Sequence, residues 1–180
     1  ADVLDFAQAG DLVIRDLGYS SLAVFHRLKQ ARIHLISRLR YGTCIFDAEG
    51  NQVNLLERLQ REGSLDTMLS IGSEARLPIR LIAVPVPEAV AAERRRKARL
   101  NRDRRLNASE EKMRMLGWQI LITTVPSSRL SSEAIVKLYA LRWRIETLFK
   151  AWKSHFHIGS VPTHATATFV SALVLGGLLY

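Results

Sequence analysis

The sequence predicts an α/β fold, and three stretches carry that reading. Leu12-Val13-Ile14 is a short apolar run punctuated by Gly18, as a buried strand is. A helical stretch follows over Leu22 to Gln30, opened by Ser20 or Ser21 as cap, and then Arg32 to Leu39 alternates as a second strand. The order strand, helix, strand favours neighbouring parallel strands. Far downstream, Trp118 to Val125 (WQILITTV) reads as a strong strand, and Ser131 or Ser132 opens a long helix to about Ser154.

The residues between look different. Thr43 to Asp47 and Gln52 to Leu55 read as strands flanking the turn cluster Ala48-Glu49-Gly50-Asn51. Leu65 to Ile71 and Ile79 to Val86 also read as strands, the latter bracketed by Pro78, Pro85 and Pro87. A basic helix follows. The expected organisation is a core made of residues 1–40 and 113–180, with a β-rich insertion and its basic helix at 41–112.

Composition bounds the function. The chain has 180 residues, 48% of them hydrophobic and 24% charged, which excludes a disordered or collagen-like chain. A single cysteine, Cys44, excludes an internal disulfide framework and a multi-cysteine zinc site, and fits a reducing compartment. Cys44 has no basic neighbour nearer in sequence than Arg40, which argues against a nucleophile. No secretory signal pattern is present, and the apolar run Phe169 to Tyr180 is shorter than the roughly 20 residues a membrane span needs. It reads as a buried helix, and the chain as a segment of a longer, cytoplasmic protein.

The net charge of +9 points to a polyanionic partner, most often nucleic acid. Glu93 to Arg105 (ERRRKARLNRDRR) holds eight basic and two acidic residues. Two readings stand: a solvated helical face, or an arm that contacts phosphates without reading sequence.

The long helix carries the most specific pattern. Each helical residue advances about 100°. With Tyr139 at zero, Arg142, Glu146 and Lys153 fall near 300°, 340° and 320°, all on one stripe. Leu138, Leu141, Ile145, Leu148 and Trp152 fall on the adjoining arc, the expected core face. An ordinary amphipathic helix with i,i+4 pairs Arg142–Glu146 and Glu146–Lys150 explains this pattern too.

A functional reading needs a partner for Glu146. A carboxylate among cations has a lowered pKa, so it is a poor base and a good ligand for a hard divalent cation. Asp16, at the end of an apolar strand, is the natural second ligand. Arg142 and Lys153 would then hold phosphates, and Tyr139 would hydrogen-bond or stack. Two cations about 4 Å apart would activate water and stabilise the leaving oxygen.

Asp16-Leu17-Gly18-Tyr19 resembles the motif around the second catalytic aspartate of bacterial DDE transposases of the insertion-sequence-four type. Tyr139, Arg142, Glu146 and Lys153 match that family's Y-(2)-R-(3)-E-(6)-K signature at every spacing. YALRWRIETLFKAWK, and Gly117-Trp118 leading into LITTVP, are similar as well, so the likeness runs from Asp11 to about His155.

This resemblance implies an RNase H-like mixed sheet with flanking helices and a β-rich insertion, incomplete at its N-terminal side. It implies Asp16 and Glu146 as the second and third metal-binding carboxylates. Tyr139, Arg142 and Lys153 would contact the phosphate backbone, with Arg144 and Lys150 as further contacts. The chemistry implied is Mg2+- or Mn2+-dependent cleavage and transfer of DNA strands. The partners are double-stranded transposon ends and target, bridged by a homodimer near the bacterial nucleoid, with no membrane.

The family's first aspartate matches none of Asp2, Asp5 and Asp11, and the first three strands of the fold have no counterpart. The expectation is therefore a chain that does not catalyse strand transfer alone. Competing readings are a non-catalytic nucleic-acid-binding protein, a metal-dependent nuclease that cuts without joining, and an inactive remnant of a mobile element. Trp118, Trp143 and Trp152 read first as core residues, although Trp118 could stack on an extruded base. His155 and His157 read as surface residues, and Arg129 carries no pattern.

Overall fold

The computed structural model describes residues 3–16, 21–74, 76–100 and 109–155, and in the last helix no side chain at 145–146 or 148–155. It divides into two compact units, Ala1–Val136 and Lys137–Tyr180.

The first unit is a mixed α/β structure built on six strands: β1 (Leu12–Arg15), β2 (His34–Arg38), β3 (Ile45–Phe46), β4 (Leu65–Ile71), β5 (Leu77–Pro85) and β6 (Trp118–Thr123). Their order in the sheet is β1-β2-β6-β5-β4-β3. β1 and β2 are parallel, joined by α1 (Leu22–Gln30) as the strand–helix–strand order requires, and every other pairing is antiparallel. Segment 41–112 does not build a sheet of its own. Its strands β3, β4 and β5 extend the sheet of β1, β2 and β6.

That segment departs from the expected pattern in two places. Gln52 to Leu55 is not a strand: Gln52 makes one bridge to Phe46, and α2 (Leu55–Glu62) begins at Leu55. Asn54 starts this helix by accepting the Glu57 N–H at 3.3 Å, and Leu55, Leu56 and Leu59 form its buried face. Gly63 ends it at φ 75°, a conformation open to glycine. The basic helix α3 spans Glu88–Arg99, and a short α4 (Glu110–Met115), opened by the Ser109 hydroxyl on the Lys112 N–H, precedes β6. The turn at 48–51 stands as expected: Asp47 accepts the Asn51 N–H at 2.7 Å, and Gly50 takes φ 89°.

Alternation of side chains divides the sheet into two faces. Leu35, Leu69, Ile79, Leu81, Ala83 and Ile122 point to one face and pack with Phe25 and Leu28 of α1 and Leu55 and Leu59 of α2. Ile36, Arg80, Ile82 and Leu121 are buried on the other. Burial on both faces explains why β2, β5 and β6 read as apolar runs.

Arg80 defines what covers that second face. Its Nε and Nη2 donate to the two Asp66 oxygens, each at 2.6 Å, while Nη1 donates to the carbonyls of Leu130 (2.7 Å) and Val125 (3.3 Å). The loop from β6 to the last helix, α5 (Ser132–His155), therefore lies against this face. The other side of the same junction is sewn to β2. Thr123 Oγ1 donates to the Leu35 carbonyl at 2.7 Å, and Thr124 Oγ1 accepts the Leu35 N–H at 2.9 Å.

Leu81 is fully buried on the first face, in the core shared with α1 and α2. Leu81→Ala is expected to lower stability by about 2–5 kcal/mol, measured by urea unfolding.

Candidate functional site at the end of the parallel strands

The register of β1 and β2 places Arg15 beside Ser37, so Asp16 and Arg38 are the next residues along the two parallel strands. Continuing the alternation puts both on the face that carries Ile36 and Arg80. Asp16 is half-buried, which strengthens the field of a carboxylate without removing it from solvent. Arg38 drew no notice in the sequence, because its relation to Asp16 exists only through strand pairing. Like the crevices at the carboxyl ends of parallel strands in open α/β sheets, this edge gathers polar groups.

Around it the structure is basic. Burial, and then the nearby charge of Arg38, push the Arg94 guanidinium below its ordinary pKa, while Arg94 Nη1 donates to the Trp118 carbonyl at 3.2 Å. The segment Arg38 to Cys44 separates two cavities of about 660 and 670 Å3, and Arg38, Arg40, Tyr41 and Cys44 line both. Tyr41 is held by a 2.8 Å hydroxyl–hydroxyl hydrogen bond with Ser109, and the Lys112 ammonium stands 5.8 Å from its ring centre.

The basic helix is partly neutralised from within. Arg96 and Lys97 pair with Glu93, and Arg95 pairs with Glu88 at 2.7 Å. Such pairs hold the cations on the helix's own acids, in keeping with a solvated face. Residues 101–105 lie outside the described residues.

α5 is one continuous helix, so the positions of Tyr139, Arg142, Glu146 and Lys153 fall on one stripe along it. The facing differs from expectation. Tyr139 is buried at 6% exposure and Arg142 is half-buried, its guanidinium 5.5 Å from the Tyr139 ring centre. Leu141, expected in the core, is 44% exposed, and Trp143, also expected there, is 66% exposed. Among the described side chains of α5, Ile135 and Tyr139 are thus buried and Arg142 is half-buried, while Leu141 and Trp143 are exposed. Periodicity alone could not orient two adjoining arcs. Arg144 is exposed, and the side chains of Glu146, Lys150, Trp152 and Lys153 lie outside the described residues, as do His155 and His157.

Trp118 is a structural residue, as first read: it packs against the core, and its indole N–H donates to the Gly63 carbonyl at 2.7 Å. Arg129, which carried no pattern, approaches His34 Nε2 at 3.3 Å. Asp11 is exposed and accepts the Gln8 N–H at 2.8 Å. Among the described residues no three His, Cys, Asp or Glu side chains cluster as a metal site, and no helix is long and apolar enough to cross a membrane.

The sequence matches the transposase DDE domain model over residues 1–180. The chain belongs to the DDE transposase family. Among its curated relatives is the transposase for insertion sequence element IS231C of Bacillus thuringiensis subsp. berliner, 34% identical over 178 residues, which are 87% of this chain and 37% of that protein. The transposase of IS231B from the same organism is 32% identical over the same shares of the two chains. The transposase of IS1151 from Clostridium perfringens is 27% identical over 84% of this chain and 36% of its own length. The DDE chain therefore spans about a third of these relatives. No solved structure matches it significantly.

Glu93 supplies a pH test of the basic helix. Hydrogen bonds from Arg96 pull its carboxyl from 4.5 to about 2. A depressed carboxylate stabilises the fold above its unfolded pKa, and that contribution fades as pH falls from 4.5 through about 2. NMR titration of the Glu93 side chain is expected to give the lowered midpoint, and Arg96→Gln to return it towards 4.5.

Proposed function

We propose that this chain is the part of a transposase catalytic domain that supplies the second and third carboxylates, Asp16 and Glu146, for DNA strand cleavage and strand transfer. The observation that carries the reading is the Tyr139/Arg142/Glu146/Lys153 spacing, kept on one unbroken helix in a chain of the DDE family. A second observation supports it. Asp16 and the loop that leads into α5 belong to the same face of the sheet.

On this reading the fold is RNase H-like, and residues 41–112 are the β-rich insertion of that fold. Asp16 and Glu146 hold Mg2+ or Mn2+, which when bound favours attack on a phosphodiester and stabilises the departing oxygen. Arg142, Lys153, Arg144 and Lys150 neutralise backbone phosphates, which fixes the duplex in register without reading bases. Tyr139, beneath the Arg142 guanidinium, orients that cation towards the strand. In cleavage a water oxygen bonds to phosphorus and the 3′-oxygen leaves. In transfer the freed 3′-hydroxyl attacks a target phosphodiester, and its 3′-oxygen leaves in turn. The first aspartate corresponds to none of Asp2, Asp5 and Asp11, so the reaction needs a carboxylate from outside these residues. The partners are transposon-end and target DNA, held by a homodimer in the bacterial cytoplasm.

Mn2+ titration followed by electron paramagnetic resonance tests the metal reading. Asp16→Asn and Glu146→Gln are each expected to weaken binding at least about tenfold, the loss of one anionic ligand. Wild-type protein that binds duplex DNA but no Mn2+ would instead support a non-catalytic DNA-binding protein. Arg142→Ala combined with Lys153→Ala is expected to lower the salt dependence of duplex binding by about two phosphates' worth, read by fluorescence anisotropy at several salt concentrations.

A further inference from the structure

The connection between β6 and α5 is short and is gripped at both ends by one side chain. Arg80 is 4% exposed and sits in the middle of β5. Its fork donates four hydrogen bonds: two to Asp66 across the β4–β5 pair, one to the Val125 carbonyl where the loop begins, and one to the Leu130 carbonyl two residues before α5. Between those carbonyls the loop turns on Pro126, whose carbonyl accepts the N–H of Arg129 and of Leu130.

Stability alone does not explain this arrangement. A buried cation is a weak source of net stability, because its desolvation offsets most of what its partners return. Its geometric effect is stronger. The guanidinium is planar, with donors at fixed angles, and Asp66 occupies one edge of it bidentately. With that edge clamped, Nη1 can point in only one direction, and both loop carbonyls must come to it.

We propose that Arg80 is a positioning residue that fixes the direction in which the first turn of α5 leaves the sheet, and with it the start of the helix that carries Arg142 and Glu146. Its relevance to catalysis rests on the function proposed above, whereas its control of the helix does not. Lysine cannot replace it, since a single ammonium cannot hold a carboxylate bidentately and two carbonyls at once.

The test is a pulsed-dipolar distance between spin labels at Gln60→Cys on α2 and Glu133→Cys in the first turn of α5, both exposed, in the 180-residue chain carrying Cys44→Ser. Mn2+ titration of the same variants without labels accompanies it. The parent is expected to give one narrow distance distribution. Arg80→Lys should broaden or shift it and weaken Mn2+ binding about tenfold, as loss of an outer positioning contact does.

If Arg80→Lys fails to fold, the double variant Asp66→Asn/Arg80→Met decides, because it removes both charges together with the clamp and leaves no unpaired buried ion. A distance distribution that stays as in the parent, in a variant whose urea midpoint has fallen, overturns the proposal and leaves Arg80 a packing residue. A broad distribution in the parent overturns it too. Absence of Mn2+ binding in the parent sinks the metal reading, while the distances still decide the role of Arg80.

Discussion

The structure depends on a charge placed where charges are expensive. Arg80 stands inside the sheet, and everything around it is arranged to satisfy its donors. Asp66 must lie diagonally across the β4–β5 pair, which fixes the register of those strands. The carbonyls of Val125 and Leu130 must turn inward, which fixes how the chain leaves β6. Thr123 and Thr124 complete the junction from the β2 side through the Leu35 backbone. Strand register and helix entry are thus linked by one side chain, and an error in either leaves a buried cation without partners.

β1 and β2 deliver Asp16 and Arg38 to one end of the sheet, on the face along which the chain passes into α5. Strands define the position of Asp16 to within a pleat, and a continuous helix keeps Tyr139, Arg142, Glu146 and Lys153 at set intervals. On the function proposed above, phosphoryl transfer would ask for little more than such positioning and an arrangement of opposite charges. The surplus of nine positive charges is spread unevenly over this frame. Arg95, Arg96 and Lys97 are engaged by Glu88 and Glu93 on their own helix, whereas the partly buried Arg94 feels the charge of Arg38, a repulsion that an anion would relieve.

Much of the fold was legible because it is written in local patterns. The helix Leu22–Gln30 and the strand Leu65–Ile71 stand where periodicity put them, and α5 begins at Ser132 as its cap predicted. α2 was missed because Val53, Leu55 and Leu56 sit close together and look like a strand, while the signal that decides, Asn54 capping Glu57, is a single weak residue pair. α4 has six residues and no buried face, so it left no pattern to read. Trp143 and Leu141 were placed inside by hydrophobicity, yet they are exposed, while Tyr139 is buried and Arg142 half-buried.

The sequence by itself determined the strand–helix–strand start, the strand Leu65–Ile71, the long helix α5 and the stripe of residues along it. Those properties depend on neighbours within a few residues, where propensity, capping and helical geometry act directly. Only the tertiary structure decided that segment 41–112 extends the central sheet, that Arg38 adjoins Asp16 and that Arg80 binds the loop before α5. Each of these joins residues far apart in the chain through strand pairing or a buried ion, and neither leaves a local trace. Asp66, Arg80 and Leu130 look like any polar or apolar residues until folding removes water from around them and makes each hydrogen bond obligatory.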